Sequence, residues 1–130
     1  MPFSATNLAT IGDALVALLS KPDLLEQSAN KYIFVSSFTT TQNEVLKVLE
    51  ELTNAKWAVE KVDATAAHAE AVAKVAKGDY SAARTMIQAS ILSKEQLSDL
   101  RPLGLWNDKL GLRKESLEEE VQKVLQARTT

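Results

Sequence analysis

The sequence contains no cysteine, few glycines and no long apolar run, and each absence excludes a class of function. Without cysteine the chain can form no disulfide, no thiolate nucleophile and no cysteine-ligated metal site. The four glycines stand at positions 12, 78, 104 and 111, so neither G-x-G-x-x-G nor a P-loop can be written, and a dinucleotide site of the usual kind is absent. No apolar stretch approaches the roughly 18 residues of a membrane helix, so we expect no membrane association.

Basic residues are neither numerous nor clustered. The chain carries 15 Lys and Arg against 17 Asp and Glu, and no basic patch predicts contact with a phosphate backbone, so nucleic acid is not an expected partner. The N-terminus lacks a basic segment followed by an apolar block, and we therefore expect a cytoplasmic location. Because 130 residues is the length of one ordinary domain, residues 1–130 are predicted to form a single domain.

The region from residue 30 to residue 62 predicts the fold class. Residues 32–35 form a β-branched and aromatic run without polar alternation, as in a strand that is buried on both faces. Thr41 and Glu44 have the spacing of a capping box at the start of an amphipathic helix, and a second strand is predicted over residues 57–62. Strand, helix and strand make a βαβ unit, so we predict an α/β fold with a small parallel sheet of two clear strands.

About five to six helices are predicted to cover this sheet. The first should begin near Thr10, whose hydroxyl can cap it, and the last near residue 114 or 115. Two helices over about 66–77 and 80–92 are predicted to meet in a corner at Gly78. Residues 93–111 are predicted to form a short helix or turn.

A sheet of two strands is at best marginally stable by itself. Parallel sheets also normally have both faces covered by other elements. We therefore expect a partner to complete the sheet, with a homo-oligomer such as a dimer as one form of that partner.

Two sets of residues are candidates for a ligand pocket. Ser36, Ser37 and Phe38 follow the predicted central strand, where open α/β sheets generally bind ligands. Alternatively, the two serines only end the strand and Phe38 belongs to the core. Tyr80, Met86 and Ile87 can line an apolar pocket beneath the helical corner, or can pack as core.

Metal and triad chemistry receive little support from the sequence. His68 is the only histidine and forms a formal H-x-E with Glu70, but zinc deaminases with this pattern need a downstream P-C-x-x-C. We predict that His68 is a helix-surface residue and that glutamates 118–120 form a solvated face. No G-x-S-x-G motif supports a Ser-His-Asp triad.

Six short segments together carry a family resemblance. They are Phe3-Ser4, residues 8–16, residues 32–42, Lys56-Trp57, residues 77–83 and residues 105–112. In this order they resemble the C-terminal part of NmrA-like, isoflavone-reductase-like proteins, which are atypical members of the short-chain dehydrogenase/reductase superfamily. The resemblance covers essentially the whole chain and implies the C-terminal part of a Rossmann-type reductase.

The resemblance implies that this chain is the substrate-binding or lid part of an NAD(P)-dependent reductase. In the family, an N-terminal Rossmann domain carries the Gly-rich turn for NADP(H), and reductase members place a catalytic lysine before the region that matches. Neither part is present in this sequence, so we expect no cofactor and no reductase activity for this chain alone. The Rossmann domain is then the alternative to a second copy as the completing partner.

The resemblance also implies candidate pocket residues. They are Phe3, Ser4 and Ile11, from the segment that closes the family's pocket, together with Phe38 and Tyr80. The implied ligand is a small apolar or aromatic molecule.

Two other functions remain open at the level of sequence. A small cofactor-independent isomerase or cyclase could use an apolar pocket, with acid–base chemistry from Tyr80, Asp79 or His68. A non-catalytic regulatory or interaction module is the other alternative, because the family includes redox-sensing regulators.

Overall fold

The computed structural model describes residues 1–93 and 97–129, which form six α-helices and one small sheet. The elements are β1 (Phe3–Ala5), α1 (Leu8–Ser20), α2 (Pro22–Ser28), β2 (Phe38–Thr40), α3 (Gln42–Thr53), α4 (Ala64–Ala76), α5 (Ala83–Ile91) and α6 (Leu117–Arg128). Short 3-10 turns occupy Tyr80–Ala82 and Arg101–Leu103. The second lies in the stretch 93–111, predicted as a short helix or turn, of which residues 94–96 fall outside the described residues. No helix in the described part is long and apolar enough to cross a membrane.

The sheet joins the N-terminal segment to the segment that precedes α3. β1 and β2 pair antiparallel, with Phe3 opposite Thr40 and Ala5 opposite Phe38. Helices and strands are thus combined as expected for an α/β chain, but the pairing differs from the predicted parallel sheet. The partner of β2 is a segment whose three residues carry no strand pattern of their own, which is why the sequence did not indicate it.

The predicted βαβ unit is not formed within the described residues. The predicted strand 32–35 contributes one parallel bridge, between Phe34 and Leu105, and the predicted strand 57–62 is irregular. Residues 58–62 are all exposed, whereas strands of a parallel sheet are covered on both faces. The assignment to a Rossmann-type reductase stays a prediction.

The side chain of Asn107 takes the place of a strand partner at Ser36. Its Oδ1 accepts a hydrogen bond from the Ser36 N–H at 3.1 Å, and its Nδ2 donates to the Ser36 carbonyl at 2.6 Å. Next to this pair, the Trp106 N–H donates to the Phe34 carbonyl at 2.9 Å. Ser36 is only 4% exposed, so its backbone groups need such partners in place of water. Asn107 therefore holds the segment between α2 and β2 against the segment before α6.

The buried core is small. Ala14 of α1, Leu24 of α2 and Leu110 form its centre. Partly buried side chains pack around them: Ala17, Leu18, Ile33, Val35, Trp106 and Leu112. Elsewhere α4 buries only Ala71. The α5 region, which we define as the 3-10 turn Tyr80–Ala82 together with α5, buries only Ala82 and Ala89. A core of this size leaves many large apolar side chains exposed.

Local sequence explains the starts of α3 and α4 but not that of α1. The capping box is confirmed: Thr41 Oγ1 accepts from the Glu44 N–H, and the Glu44 carboxylate accepts from the Thr41 N–H at 2.8 Å. Asp63 caps α4, where its side chain accepts from the N–H groups of Thr65 and Ala66. The predicted cap of α1 is wrong, because the helix begins two residues before Thr10, with Asn7 at the N-cap position. Thr10 is instead buried inside the helix.

We predict that Asn107→Asp lowers the free energy of unfolding by about 1–3 kcal/mol. The carboxylate can still accept from the Ser36 N–H, but it cannot donate to the Ser36 carbonyl and places a negative charge against it. Equilibrium denaturation in urea at pH 7 measures the effect. The matched control is Asn43→Asp in the first turn of α3, where a negative charge is neutral or slightly stabilising. Equal unfolding midpoints for the two variants would contradict the role given to Asn107.

Candidate functional site

An apolar groove lies between β2, α3 and α6. Its volume is about 410 Å³. Most of its lining is apolar, with three polar side chains, and the full set is Asn7, Phe38, Val45, Leu49, Trp57, Leu117, Glu120, Val121, Val124, Leu125 and Arg128. This size and composition are typical of sites for small molecules.

Two amphipathic helices form the walls of the groove. On α3, Val45 and Leu49 are four residues apart and therefore share one face. On α6 the same spacing brings together Leu117, Val121, Val124 and Leu125. α6 has no fully buried residue, so its apolar stripe borders the groove without being enclosed by a core.

Trp57 is held at the groove by the C-terminal end of α3. Asn54 adopts a left-handed conformation, with φ of 48°, and turns the chain back along the helix. The Trp57 indole N–H donates to Thr53 Oγ1 at 3.1 Å, and its backbone N–H donates to the Glu50 carboxylate at 3.2 Å. Lys56 donates to the other oxygen of Glu50 at 2.8 Å. These bonds fix the position of the indole ring beside the α3 stripe.

Four polar side chains form a hydrogen-bonded cluster beside the groove, which we call the Glu115 cluster. The Glu115 carboxylate accepts from Asn7 Nδ2 at 2.9 Å and from Thr10 Oγ1 at 2.6 Å. Thr10 Oγ1 and Ser37 Oγ lie 3.0 Å apart, and Ser37 Oγ accepts from the Asn7 N–H at 2.9 Å. The cluster joins the start of α1 to the segment before β2 and to the segment before α6.

The Glu115 carboxyl is held in its ionised form. Burial raises its pKa, but interactions with Ser37, Thr10 and Asn7 and the charge of Arg113 outweigh burial, so the pKa lies below its ordinary value. Both carboxylate oxygens already accept hydrogen bonds, and a carboxylate of low pKa is a poor proton acceptor near neutral pH. We therefore assign Glu115 the task of positioning Asn7 at the edge of the groove.

The structure brings two of the candidate pocket residues to this region. Phe38 lines the groove, and Ser37 belongs to the Glu115 cluster beside it. Phe3 and Ser4 lie in β1, the strand that pairs with the strand of Phe38, but they are not among the lining residues. The Ser4 hydroxyl instead bonds to the hydroxyl of Thr39 at 2.9 Å.

The other four candidates lie elsewhere. Ile11 is on the outer side of α1 and is 50% exposed. Tyr80 and Ile87 are 74% and 57% exposed, and Met86 is half-buried. The physical reason is that the α5 region buries its alanine side, so the face that carries the large residues points outward. None of these four residues lines the groove, and the pocket beneath the helical corner stays a prediction.

Sequence reasoning missed most of the residues that build the site. Asn7 and Thr10 are three residues apart at the start of a helix, which is a visible signal, but they were not connected with Glu115, more than 100 positions away. Trp57 is predicted to begin a strand, but it lies in an irregular segment and lines the groove. The apolar stripes of α3 and α6 are both visible in the sequence, but nothing in either stripe indicates that the two border one groove.

The described residues bring together no group of three or more His, Asp or Glu side chains that could hold a metal ion. His68 is half-buried on α4 and does not line the groove. Asp79 accepts from the Ser81 side chain and backbone N–H, and these bonds lower its pKa. Asp79 thus caps the 3-10 turn, and both residues lie outside the candidate site.

A second, larger concavity of about 550 Å³ lies at the C-terminal end of α3. It is lined mainly by charged and polar residues: Lys47, Glu50, Glu51, Asn54, Ala55 and Lys56. Its lysines already pair with its glutamates, Lys56 with Glu50 at 2.8 Å and Lys47 with Glu51 at 3.8 Å. Because these charges compensate one another in solvent, the apolar groove is the stronger candidate.

Two fungal proteins named as oxidoreductases are similar to this chain. The chain is 32% identical over 127 residues to oxidoreductase poxI of Penicillium oxalicum. The aligned region covers 95% of the chain and 40% of that protein. It is 37% identical over 76 residues to oxidoreductase aprR of Aspergillus flavus. This aligned region covers 58% of the chain and 25% of that protein. The chain is related to oxidoreductases.

This relation is limited in length. The chain spans less than half the length of the curated relatives that it matches. No protein family profile matches the chain, and no solved structure matches it. The NmrA-like subtype therefore stays a prediction.

We predict that Glu115→Gln lowers the free energy of unfolding at pH 7 by about 1–2 kcal/mol, because an amide can accept from only one of the two donors and the site is only half-buried. The folded-state pKa of Glu115 lies below its ordinary value of 4.5, so the stabilisation is complete above pH 4.5 and is lost as the pH falls through the folded-state pKa. The unfolding free energies of wild type and variant should therefore become equal at low pH. Denaturation curves of both proteins at a series of pH values measure this.

The control for this experiment is Glu118→Gln, which removes an exposed carboxylate in the first turn of α6. We expect it to change stability by a few tenths of a kcal/mol at most. A difference between wild type and Glu115→Gln that is the same at acid and neutral pH would contradict the assigned role of the carboxylate.

Proposed function

We propose that this chain is the substrate-binding part of an NAD(P)-dependent, NmrA-like reductase and that the groove between β2, α3 and α6 holds a small apolar or aromatic ligand. The observation that carries the proposal is the groove itself, with its apolar walls and its volume of about 410 Å³. The relation of 95% of the chain to a part of a protein named as an oxidoreductase supports the reductase assignment.

The lining of the groove favours a planar ligand. Phe38 and Trp57 offer aromatic surfaces, which pack well in offset or edge-to-face contact with another ring. Asn7 stands at the edge of the groove with its side chain held by Glu115, and Arg128 places a positive charge in the lining. A ligand with one ring system and one polar or anionic substituent matches this arrangement.

The residues of this chain do not fit a dinucleotide. Such sites need several glycines in one turn, so that backbone N–H groups can approach a pyrophosphate. Here the glycines at 78, 104 and 111 have positive φ, but each stands in a separate turn, and Gly12 lies inside α1. We propose that NADP(H) is held by a Rossmann-type domain outside this chain and that the chain alone has no reductase activity.

No specific observation favours a cofactor-independent isomerase or cyclase. That function needs acid–base side chains in contact with the ligand, and the candidates Tyr80, Asp79 and His68 do not line the groove. A regulatory module would bind the same ligand without turnover.

We expect ligand binding in the groove to change the fluorescence of Trp57. The only other tryptophan, Trp106, packs against the core, so a Trp106→Phe variant leaves Trp57 as the reporter. The probe is 1-anilinonaphthalene-8-sulfonate, an aromatic anion that matches the groove's rings and its arginine. We expect Val121→Glu to weaken binding by about tenfold or more, because it places an unpaired charge in the apolar wall.

The matched control is Val62→Glu, because Val62 is 66% exposed and lies outside this groove. Equal affinity of the two variants for the probe would contradict the assignment of the groove. NADPH is tested separately by thermal denaturation, and we expect no shift in Tm. A saturable increase of Tm with NADPH would show that the chain makes its own nucleotide site.

A further inference from the structure

The helix α1 is apolar on both of its sides. On the inner side Thr10 and Ala14 are buried, and Ala17 and Leu18 pack against the core. The outer side exposes five large apolar side chains, which we call the outer α1 face: Leu8 (86% exposed), Ile11 (50%), Leu15 (56%), Val16 (63%) and Leu19 (63%). A helix that is apolar all round is normally buried all round. The outer α1 face is therefore expected to be covered.

We propose that the outer α1 face is a self-association surface that packs antiparallel against α1 of a second copy of this chain. Leu8, Gly12, Leu15 and Leu19 follow one another at steps of four, three and four, with Ile11 and Val16 on either side, which is the spacing of a helix–helix seam. This pattern is symmetric about the middle of the helix. In an antiparallel pair the opposed residues are Leu8 with Leu19, Ile11 with Val16, and Gly12 with Leu15.

The opposed residues suit one another in size and symmetry. A two-fold interface uses the same surface on both copies, so each of these contacts is made twice. Gly12 has no atom within 4 Å of the position that a Cβ would occupy, which leaves room for Leu15 of the second copy. The glycine and the leucine together allow the two helices to approach closely.

Charge does not oppose this arrangement. Asp13 is the only charged residue in α1, and helical spacing places it beside the outer α1 face and not on it. Antiparallel helices also bring opposite ends of their dipoles together, which is favourable.

The size of the face indicates a weak dimer. Five side chains from each of two copies bury on the order of 1,000 Å² in total, which is the lower limit for specific interfaces. We expect reversible association with a dissociation constant in the micromolar range. A domain like the part of the longer relatives that lies beyond the match is the competing occupant, and it would leave the register between two copies of α1 unspecified.

Sedimentation of the full chain over the micromolar range tests the proposal. We expect the average mass to rise with concentration from that of one chain toward that of two. Leu15→Glu should raise the dissociation constant about tenfold or more, because it buries an unpaired charge. The matched control is Leu103→Glu, because Leu103 is also 56% exposed and lies outside α1, and its dissociation constant should equal that of wild type.

Cysteine crosslinking tests the register, and the absence of natural cysteine makes it specific. A mixture of Ile11→Cys and Val16→Cys chains should form a disulfide-linked pair faster than a mixture of Ile11→Cys and Leu103→Cys. A chain that stays monomeric at all concentrations would overturn the proposal. So would a dimer that Leu15→Glu does not weaken, or crosslinking at equal rates in the two mixtures.

Discussion

The carboxylate of Glu115 connects the parts of the molecule that make the groove. It accepts hydrogen bonds from Asn7 and Thr10 at the start of α1, and Thr10 in turn contacts the Ser37 hydroxyl just before β2. α6 begins two residues after Glu115. The direction in which α6 leaves this point decides whether its apolar stripe meets the stripe of α3. One charged group, kept ionised by its donors, thus sets the geometry of an apolar site.

The low degree of burial is the second physical feature of the fold. The central cluster has three buried members, and α4 contacts the α5 region through alanines, which bury little area for each residue. Two hydrogen-bonded connections compensate in part: the short sheet of β1 and β2, and the bonds from the Asn107 side chain to the Ser36 backbone. The large residues that are not needed for these contacts stay on the surface, above all on α1.

The exposure of many large apolar side chains is consistent with a chain that packs against another domain or a second chain. The related proteins named as oxidoreductases are more than twice as long as the region that matches. The groove offers aromatic and aliphatic surface for a ligand, while the glycines offer no place for a dinucleotide. Under the proposed function, substrate binding and hydride transfer belong to different polypeptide segments. The outer face of α1 is available for contact with a second copy without blocking the groove residues, none of which lies in α1.

Local sequence was sufficient for features that depend on residues three or four positions apart. The capping box of Thr41 and Glu44, the Asp63 cap and the apolar stripes of α3 and α6 all follow from such spacing, because neighbouring turns of one helix create the contact. The rule that ligands bind beyond strand ends predicts Ser37 and Phe38 as pocket residues; Phe38 lines the groove and Ser37 lies in the Glu115 cluster, although the strand itself is reduced to one bridge.

The remaining features depend on which distant segments meet. Phe34 bridges to Leu105, Ser36 is held by Asn107, and Thr10 turns from a predicted cap into a buried donor for Glu115. Tyr80 and Ile87 point outward because alanines on the opposite side make the closer packing with α4. The sequence by itself determined most of the helices and their apolar faces, since these arise within a few residues. Only the tertiary structure decided which faces are covered, because hydrogen bonds and packing between segments as much as 100 residues apart have no local pattern.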